Sequence, residues 1–303
     1  MSDLTVPHNG LESLKALVLD SLSSSHSRRA YGTALDEFLT WYSVAPRGGF
    51  NKAAVQGWRM DLEQRGLAAS SINIRLAAVR KLAGEAADNA LLDPAIAAGI
   101  ARVRGAARHG VRAGNWLTKA QAEDLLRSPD SSTLKGKRDR ALLALLLGCG
   151  LRRNEAALLK FEDIQQREGR WIIVDLVGKH GRVRSVPMPA WAKAAVDDWG
   201  RAAGISTGRI LRAINKGRRI LREGMTPQSV FAVVTSLTSK LGVRVAPHDL
   251  RRTFAKLAHK GSARLEQIQL SLGHASIVTT ERYLGVRQDL HDAPCDRLGL
   301  TVY

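Results

Sequence analysis

Tyr283 lies in the stretch Leu272-Gly273-His274-Ala-Ser-Ile-Val-Thr-Thr-Glu-Arg-Tyr283, among polar neighbours in a basic chain. A phenol so placed can act as a nucleophile if other groups cancel the charge on what it attacks. Separated segments offer such groups. In Gly150-Leu-Arg152-Arg-Asn-Glu155 an apolar run stops at glycine and an arginine follows at once. Arg152 and Glu155 are three apart, so on a helix they share a face, and a guanidinium fixed by a carboxylate is suited to gripping phosphate oxygens. His248-Asp-Leu-Arg251 repeats the spacing with an imidazole that can move a proton near neutral pH and a permanent cation. Lys179, at the turn Gly178-Lys179-His180-Gly181, can give up a proton if nearby arginines depress its pKa. His274, nine residues before Tyr283, is free to approach the same point from another element. Each has an ordinary reading when taken singly: a surface ion pair, capping histidines, a solvated turn lysine, a packed tyrosine. The ordered set Arg…Lys…His-x-x-Arg…Gly-His…Tyr is far more specific than any member.

The elements that would position these groups follow from hydrophobic spacing. Residues 1–103 read as a compact all-α domain. Its helices are expected over Leu11–Leu22, from a Ser27 cap through Tyr42, over Lys52–Gln64, from a Ser70-Ser71 cap past Leu82, and over Pro94–Val103. Arg75 and Arg80 on the fourth are available to face outward. Residues 104–114, with Arg104, Arg108 and Arg112 among small residues and glycines, form a basic linker, either a plain tether or a strap along a phosphate backbone. Residues 115–303 are mixed. A capping-box helix starts at Thr118 and a buried apolar helix covers 138–148, with Asn154 starting the next one. Strands 171–177 and 182–187 flank the Lys179 turn, and a second hairpin is expected over 210–214 and 218–221. Helices then run from Pro189, Pro227, His248, Leu265 and Thr279.

The net charge is +18, and the excess is uneven. Residues 1–103 carry 11 basic and 10 acidic side chains, whereas 120–303 carry 31 basic and 18 acidic. Such an excess points to a polyanion, nucleic acid before an anionic membrane. Two cysteines, one within an apolar run, suggest neither a disulfide framework nor a zinc site. The start Met-Ser-Asp-Leu-Thr lacks the pattern of a signal peptide, and the apolar run 141–151 is too short to span a bilayer. A soluble cytoplasmic, nucleoid-associated protein is expected.

With these motifs in order, the sequence resembles the tyrosine recombinases, the phage-integrase-like family. Gly150-Leu-Arg152-Arg-Asn-Glu155 resembles the family's first-arginine motif, Val177-Gly-Lys179 its hairpin lysine segment, His248-Asp-Leu-Arg251 its His-x-x-Arg box, and Leu272-Gly-His274…Tyr283 its C-terminal box. Arg153-Asn154, where a hydrophobic-Ser pair is common, and His180 after the lysine depart from the pattern. The resemblance implies a mainly α fold with small β-hairpins (α+β), in which a helical core-binding domain and a mixed catalytic domain form a C-shaped clamp on double-stranded DNA. It implies a site-specific DNA recombinase working through a 3′-phosphotyrosine. Arg152, Arg251 and His274 would hold the phosphate, His248 would take or relay a proton, Lys179 would protonate the leaving 5′-oxygen, and Glu155 would support Arg152. Arg75, Arg80, Arg104, Arg108 and Arg112 are candidate DNA contacts. No cofactor or metal is called for, because arginine and lysine carry the neutralising charge. A homo-tetramer assembled on DNA is implied, accessory factors stay open, and the tail 284–303 would dock on a neighbour or on its own domain. A topoisomerase IB-like nicking-closing enzyme and a non-catalytic DNA-binding relative are the alternatives. The chain starts directly with the helical domain, which leans against an additional arm-binding domain.

Overall fold

A computed structural model of the chain describes residues 8–44, 48–107, 115–178 and 181–285. Lys179, Arg108, Arg112 and the tail beyond residue 285 lie outside them. The chain divides into two compact units, Met1–Val111 and Arg112–Tyr303.

The first unit is helical: α1 (His8–Asp20), α2 (Ser25–Ser43), α3 (Lys52–Gln64), α4 (Ala69–Asp88) and α5 (Pro94–Ala101). Helical spacing turns Leu35, Phe38, Val55, Trp58, Leu62, Leu76 and Val79 into one core with Leu14 and Val18. Phe38 sits at its centre, with ring centroids 4.9 Å from Trp58 and 5.7 Å from Phe50. Two expected caps are corrected. Ser24, not Ser27, caps α2, its side-chain oxygen accepting from the Ser27 N–H. Ala68 precedes α4 without a side-chain cap, so the Ser70-Ser71 pair lies inside the helix instead of starting it. Packing of the α4 apolar face settles that boundary against local capping preference.

The second unit opens with α6 (Lys119–Arg127), started by the expected Thr118–Gln121 capping box. α7 (Leu134–Gly148) carries the run Ala141–Leu147, every residue of which is buried. A helix apolar on all sides belongs in a core, and α7 packs against α6, α9 (Ala190–Ala203) and α11 (Pro247–Lys260). Short α8 (Arg153–Leu158) follows, then an antiparallel sheet of β1 (Ile164–Arg167), β2 (Arg170–Val177) and β3 (Val183–Met188), in that order. β1 is unexpected from sequence, since Ile164-Gln-Gln-Arg is polar and mostly exposed, as suits an edge strand. β2 and β3 pair Ile173 with Val186 and Val177 with Val183, and the register shifts between Ile173 and Leu176, where Asp175 has φ +51°. The second hairpin is displaced from its expected place, to β4 (Arg212–Ile214) and β5 (Ile220–Gly224). Ile210 is drawn into the core instead: its N–H bonds the Leu159 carbonyl and its carbonyl accepts from the Trp199 indole at 2.8 Å. Helices α10 (Pro227–Lys240), α11, α12 (Leu265–Leu272) and α13 (Ile277–Leu284) complete the unit. Among the described residues no helix is long and apolar enough to cross a membrane.

Candidate active site

The site begins where α7 ends. Gly150 has φ +59°, a left-handed conformation, and a Cβ there would meet the Phe254 ring at 2.7 Å. Only glycine makes this turn beside α11 without strain. The turn delivers Arg152 to the N-cap of α8, where its backbone N–H donates to Glu155 Oε2 at 2.8 Å and its Nη1 donates to Glu155 Oε1 at 2.7 Å. The i,i+3 pair is therefore real, but it is no surface ion pair: the Glu155 side chain is 5% exposed. Burial alone would raise the Glu155 carboxyl, yet hydrogen bonds from Arg184 and from the Arg152 backbone outweigh it and hold the group below its usual pKa.

Arg184, on β3, was not singled out by the sequence motifs. It donates to both Glu155 oxygens, at 3.0 and 2.9 Å, and its Nε donates to the Ser271 carbonyl at 2.9 Å. The signal was available in the strand alternation: Arg184 shares a face with Val186 and Met188, both buried. An arginine on the inward face of a strand implies a buried partner.

Arg251, from α11, is wholly buried. Its Nη1 donates to the Gly150 carbonyl at 2.5 Å, and its Nη2 donates to the Leu272 carbonyl. Arg184 and Arg251 thus satisfy consecutive carbonyls at the C-terminus of α12, where backbone acceptors are unpaired and the helix dipole favours a cation. The nearest carboxylate oxygen, on Glu155, is 4.0 Å from Arg251 Nη1, and Arg251 Nε is buried with no hydrogen-bond partner. Burial, and then the Arg152 charge, push the guanidinium pKa down to about 9. A buried cation this incompletely neutralised is a ready-made place for an anion.

Gly273, at φ +60°, ends α12 and turns the chain into His274. A Cβ at Gly273 would lie 2.8 Å from Arg184 Cδ, so glycine is needed for fit as well as conformation. His274 Nδ1 lies 2.9 Å from Thr280 Oγ1, a buried hydroxyl that fixes the ring and leaves Nε2 for other partners. Burial, then Arg251 and Arg152, push the His274 pKa down to about 4, so the ring is neutral at physiological pH.

Tyr283 sits between the two histidines, its centroid 5.4 Å from that of His248 and 5.3 Å from that of His274, nearly perpendicular to both. Its hydroxyl donates to the His248 carbonyl at 3.1 Å and lies 3.4 Å from His248 Nε2. Burial raises the phenol's pKa, and Arg251 and Arg252 oppose that rise. Burial, then Arg251 and Arg252, lower the His248 pKa. The fold thus brings Arg152, Glu155, His248, Arg251, His274 and Tyr283 together from separate elements. In the first unit, Arg75 does not face outward unpartnered, since its Nε donates to Glu37 at 2.7 Å, and Arg80 Nη2 donates to the Val103 carbonyl. Arg104 is exposed after α5. Among the described residues no group of three or more His, Cys, Asp or Glu side chains is gathered closely enough to hold a metal ion.

Known proteins are similar in sequence to this chain. The profile of the phage integrase family matches residues 115–289, and that of the phage integrase N-terminal SAM-like domain matches residues 14–89. The chain is 30% identical over 251 residues to the tyrosine recombinase XerC of Chromohalobacter salexigens, covering 83% of this chain and 81% of that protein. It is 31% identical over 208 residues to the tyrosine recombinase XerD of Ralstonia nicotianae, covering 66% of this chain and 65% of that protein. Among solved structures, a lambda integrase dimer bound to a COC′ core site superposes with a TM-score of 0.72 at 18% identity, over 93% of this chain and 79% of that one. The XerH site-specific recombinase bound to difH substrate superposes with a TM-score of 0.70 at 18% identity, over 96% of each chain. The chain belongs to the phage integrase family, the tyrosine-type site-specific recombinases. The expected mainly helical fold with small antiparallel sheets holds.

Proposed function

We propose that Tyr283 is the nucleophile of this recombinase and that a DNA phosphate occupies the space beside Arg251. The observation that carries the reading is the Arg251 guanidinium, wholly buried, 4.0 Å from its nearest carboxylate oxygen and with its Nε unpaired. A phosphodiester oxygen supplies the missing acceptor. Arg152, held by Glu155, grips a second oxygen, and neutral His274 donates a hydrogen bond through Nε2. Such fixed donors stabilise charge that develops on the phosphorus oxygens as attack proceeds. The Tyr283 oxygen bonds phosphorus, its proton passes toward His248, and the bond to the 5′-oxygen breaks. Lys179, between β2 and β3 in the sequence, protonates that oxygen. The resulting 3′-phosphotyrosine retains the energy of the broken bond, so a 5′-hydroxyl from a second duplex can reverse the step.

The solved relatives named above are bound to a core site and to difH substrate, and the +18 charge of this chain suits a duplex partner of the same kind. Residues 1–103 act as a core-binding domain, 104–114 as a basic linker carrying Arg104, Arg108 and Arg112, and 115–303 as the catalytic domain. Exchange between two sites calls for a homo-tetramer on DNA, acting in the cytoplasm at the nucleoid. The test is a nicked duplex carrying the recombination site. The parent chain forms a covalent protein–DNA adduct and Tyr283→Phe forms none; an adduct that survives Tyr283→Phe refutes the assignment. With a 5′-thio leaving group, which needs no proton, Lys179→Ala recovers cleavage; no recovery removes Lys179 as the acid.

A further inference from the structure

Arg252 lies next to Arg251 on α11 but takes no part in the phosphate cradle. Its guanidinium carbon sits over the Tyr283 ring, 4.8 Å from the centroid. Its Nε is buried without a hydrogen-bond partner, and no carboxylate among the described residues pairs with it. Among the described residues several other interior arginines are paired to carboxylates: Arg138 to Asp139, Arg184 to Glu155, Arg75 to Glu37. What Arg252 covers instead is an aromatic face.

A cation over a neutral phenol gains a modest cation–π attraction. The same cation over a phenolate gains a full charge–charge attraction, so the arrangement favours the ionised ring over the neutral one. We propose that Arg252 is a positioning residue for strand cleavage, one that seats the Tyr283 ring and stabilises the negative charge arising on it as its proton departs. The inference rests on Tyr283 being the nucleophile. In the step concerned the phenol O–H bond breaks, its proton passing to the His248 side. The oxygen pair forms the bond to phosphorus, the bond from phosphorus to the 5′-oxygen breaks, and that oxygen leaves with a proton from Lys179. Arg252 neither gains nor loses a proton.

Other charged groups face the ring, and the division of labour follows from their places. His248 from α11 and His274 from the turn before α13 lie against the Tyr283 ring, and the charges of Asp249 and Arg251 on α11 and of Arg152 at the N-cap of α8 act on it. Arg251 and Arg152 are directed to the phosphate, whose negative charge offsets theirs once DNA is bound. Asp249 opposes ionisation of the phenol. The histidines are held toward their neutral forms. Arg252, alone in stacking on the ring among the described cations, keeps its effect in the loaded site.

The test compares the full chain with Arg252→Gln and Arg252→Lys, each alongside its Tyr283→Phe counterpart. The difference in tyrosinate absorbance within each pair isolates the titration of Tyr283 and requires no DNA. Arg252→Gln is expected to move that titration about one pH unit more alkaline, as loss of a charge at this range does, and Arg252→Lys by less. Adduct formation on the nicked duplex is expected to shift alkaline by the same interval and to recover as pH is raised. If the Tyr283 titration stays in place in Arg252→Gln, the proposal is overturned. It is equally overturned if adduct formation falls by the same factor at every pH, as it would from a loss of fold or of DNA binding. An adduct persisting in the Tyr283→Phe chain would refute the assignment of the nucleophile instead, a result separable from the titration.

Discussion

Replacing Glu155 by Gln tests the arrangement at its most connected point. The carboxylate accepts from the Arg152 N–H, Arg152 Nη1, Arg184 Nη1 and Arg184 Nη2, at 2.7 to 3.0 Å, and lies 4.0 Å from Arg251 Nη1. Glutamine keeps one acceptor oxygen but no charge, and its amide group meets guanidinium donors. Arg184, 9% exposed, and Arg251, 1% exposed, are then left facing each other and Arg152 with no anion between them. Breaking a buried pair in this way costs about 3 kcal/mol or more, which lowers the melting of a unit this size by roughly 6–12 °C. Calorimetry of the full chain measures it, the first unit's transition serving as an internal reference. Arg184→Met on the Glu155→Gln background removes the stranded charge, so the double variant is expected to lose at least about 1 kcal/mol less than the sum of the singles. Strict additivity would refute the reasoning, as would a loss below about 1 kcal/mol for Glu155→Gln. The pH dependence gives a second check. The folded carboxyl titrates below its ordinary value of 4.5, so its stabilisation is fully present above that value and is lost as pH falls through the folded pKa. The gap between parent and Glu155→Gln should therefore close in acid.

Gly150→Ala forces a side chain into φ +59° and against the Phe254 ring, and is expected to destabilise the second unit by about 2–3 kcal/mol in urea denaturation. His274 titrates at about 4 when folded and near 6.5 when unfolded, so its contribution to stability is whole above 6.5 and drains as pH falls toward 4. After allowing for its partial exposure the loss is about 2 kcal/mol, and a denaturation series over that range with His274→Asn as control measures it. Arg251→Lys keeps the charge but cannot span two carbonyls and a phosphate, and adduct formation is expected to fall by about a hundredfold or more.

The spacing of the candidate site was legible because it resides in short segments. Arg152 and Glu155, and His248 and Arg251, fall three apart on helices that form where hydrophobic period and capping place them. Tyr283 follows from the αL turn at Gly273 and the helix after it. What the segments could not show was burial. The Arg152–Glu155 pair has the spacing of a surface pair, and only Arg184, arriving from a strand, makes it interior. Thr280 and Arg252 were illegible for a related reason. A threonine or arginine on a helix becomes informative only when a ring from elsewhere in the chain lies against it. β1 was obscured because an edge strand needs little apolar patterning once a central strand supplies its partner, and the second hairpin was shifted because Ile210, read as its first residue, is taken by the core.

The two carbonyls held by Arg251 have a consequence in time. They belong to Gly150 and Leu272, residues 101 and 21 positions from it along the chain. Closing such loops is slow compared with forming the helices they join. Until both carbonyls arrive, Arg251 has no reason to leave water, and the phosphate pocket we propose does not exist. A partly folded chain can carry every helix of the site and still lack the proposed pocket. On the proposed reading, the ability to cut arises only with the last long-range contacts.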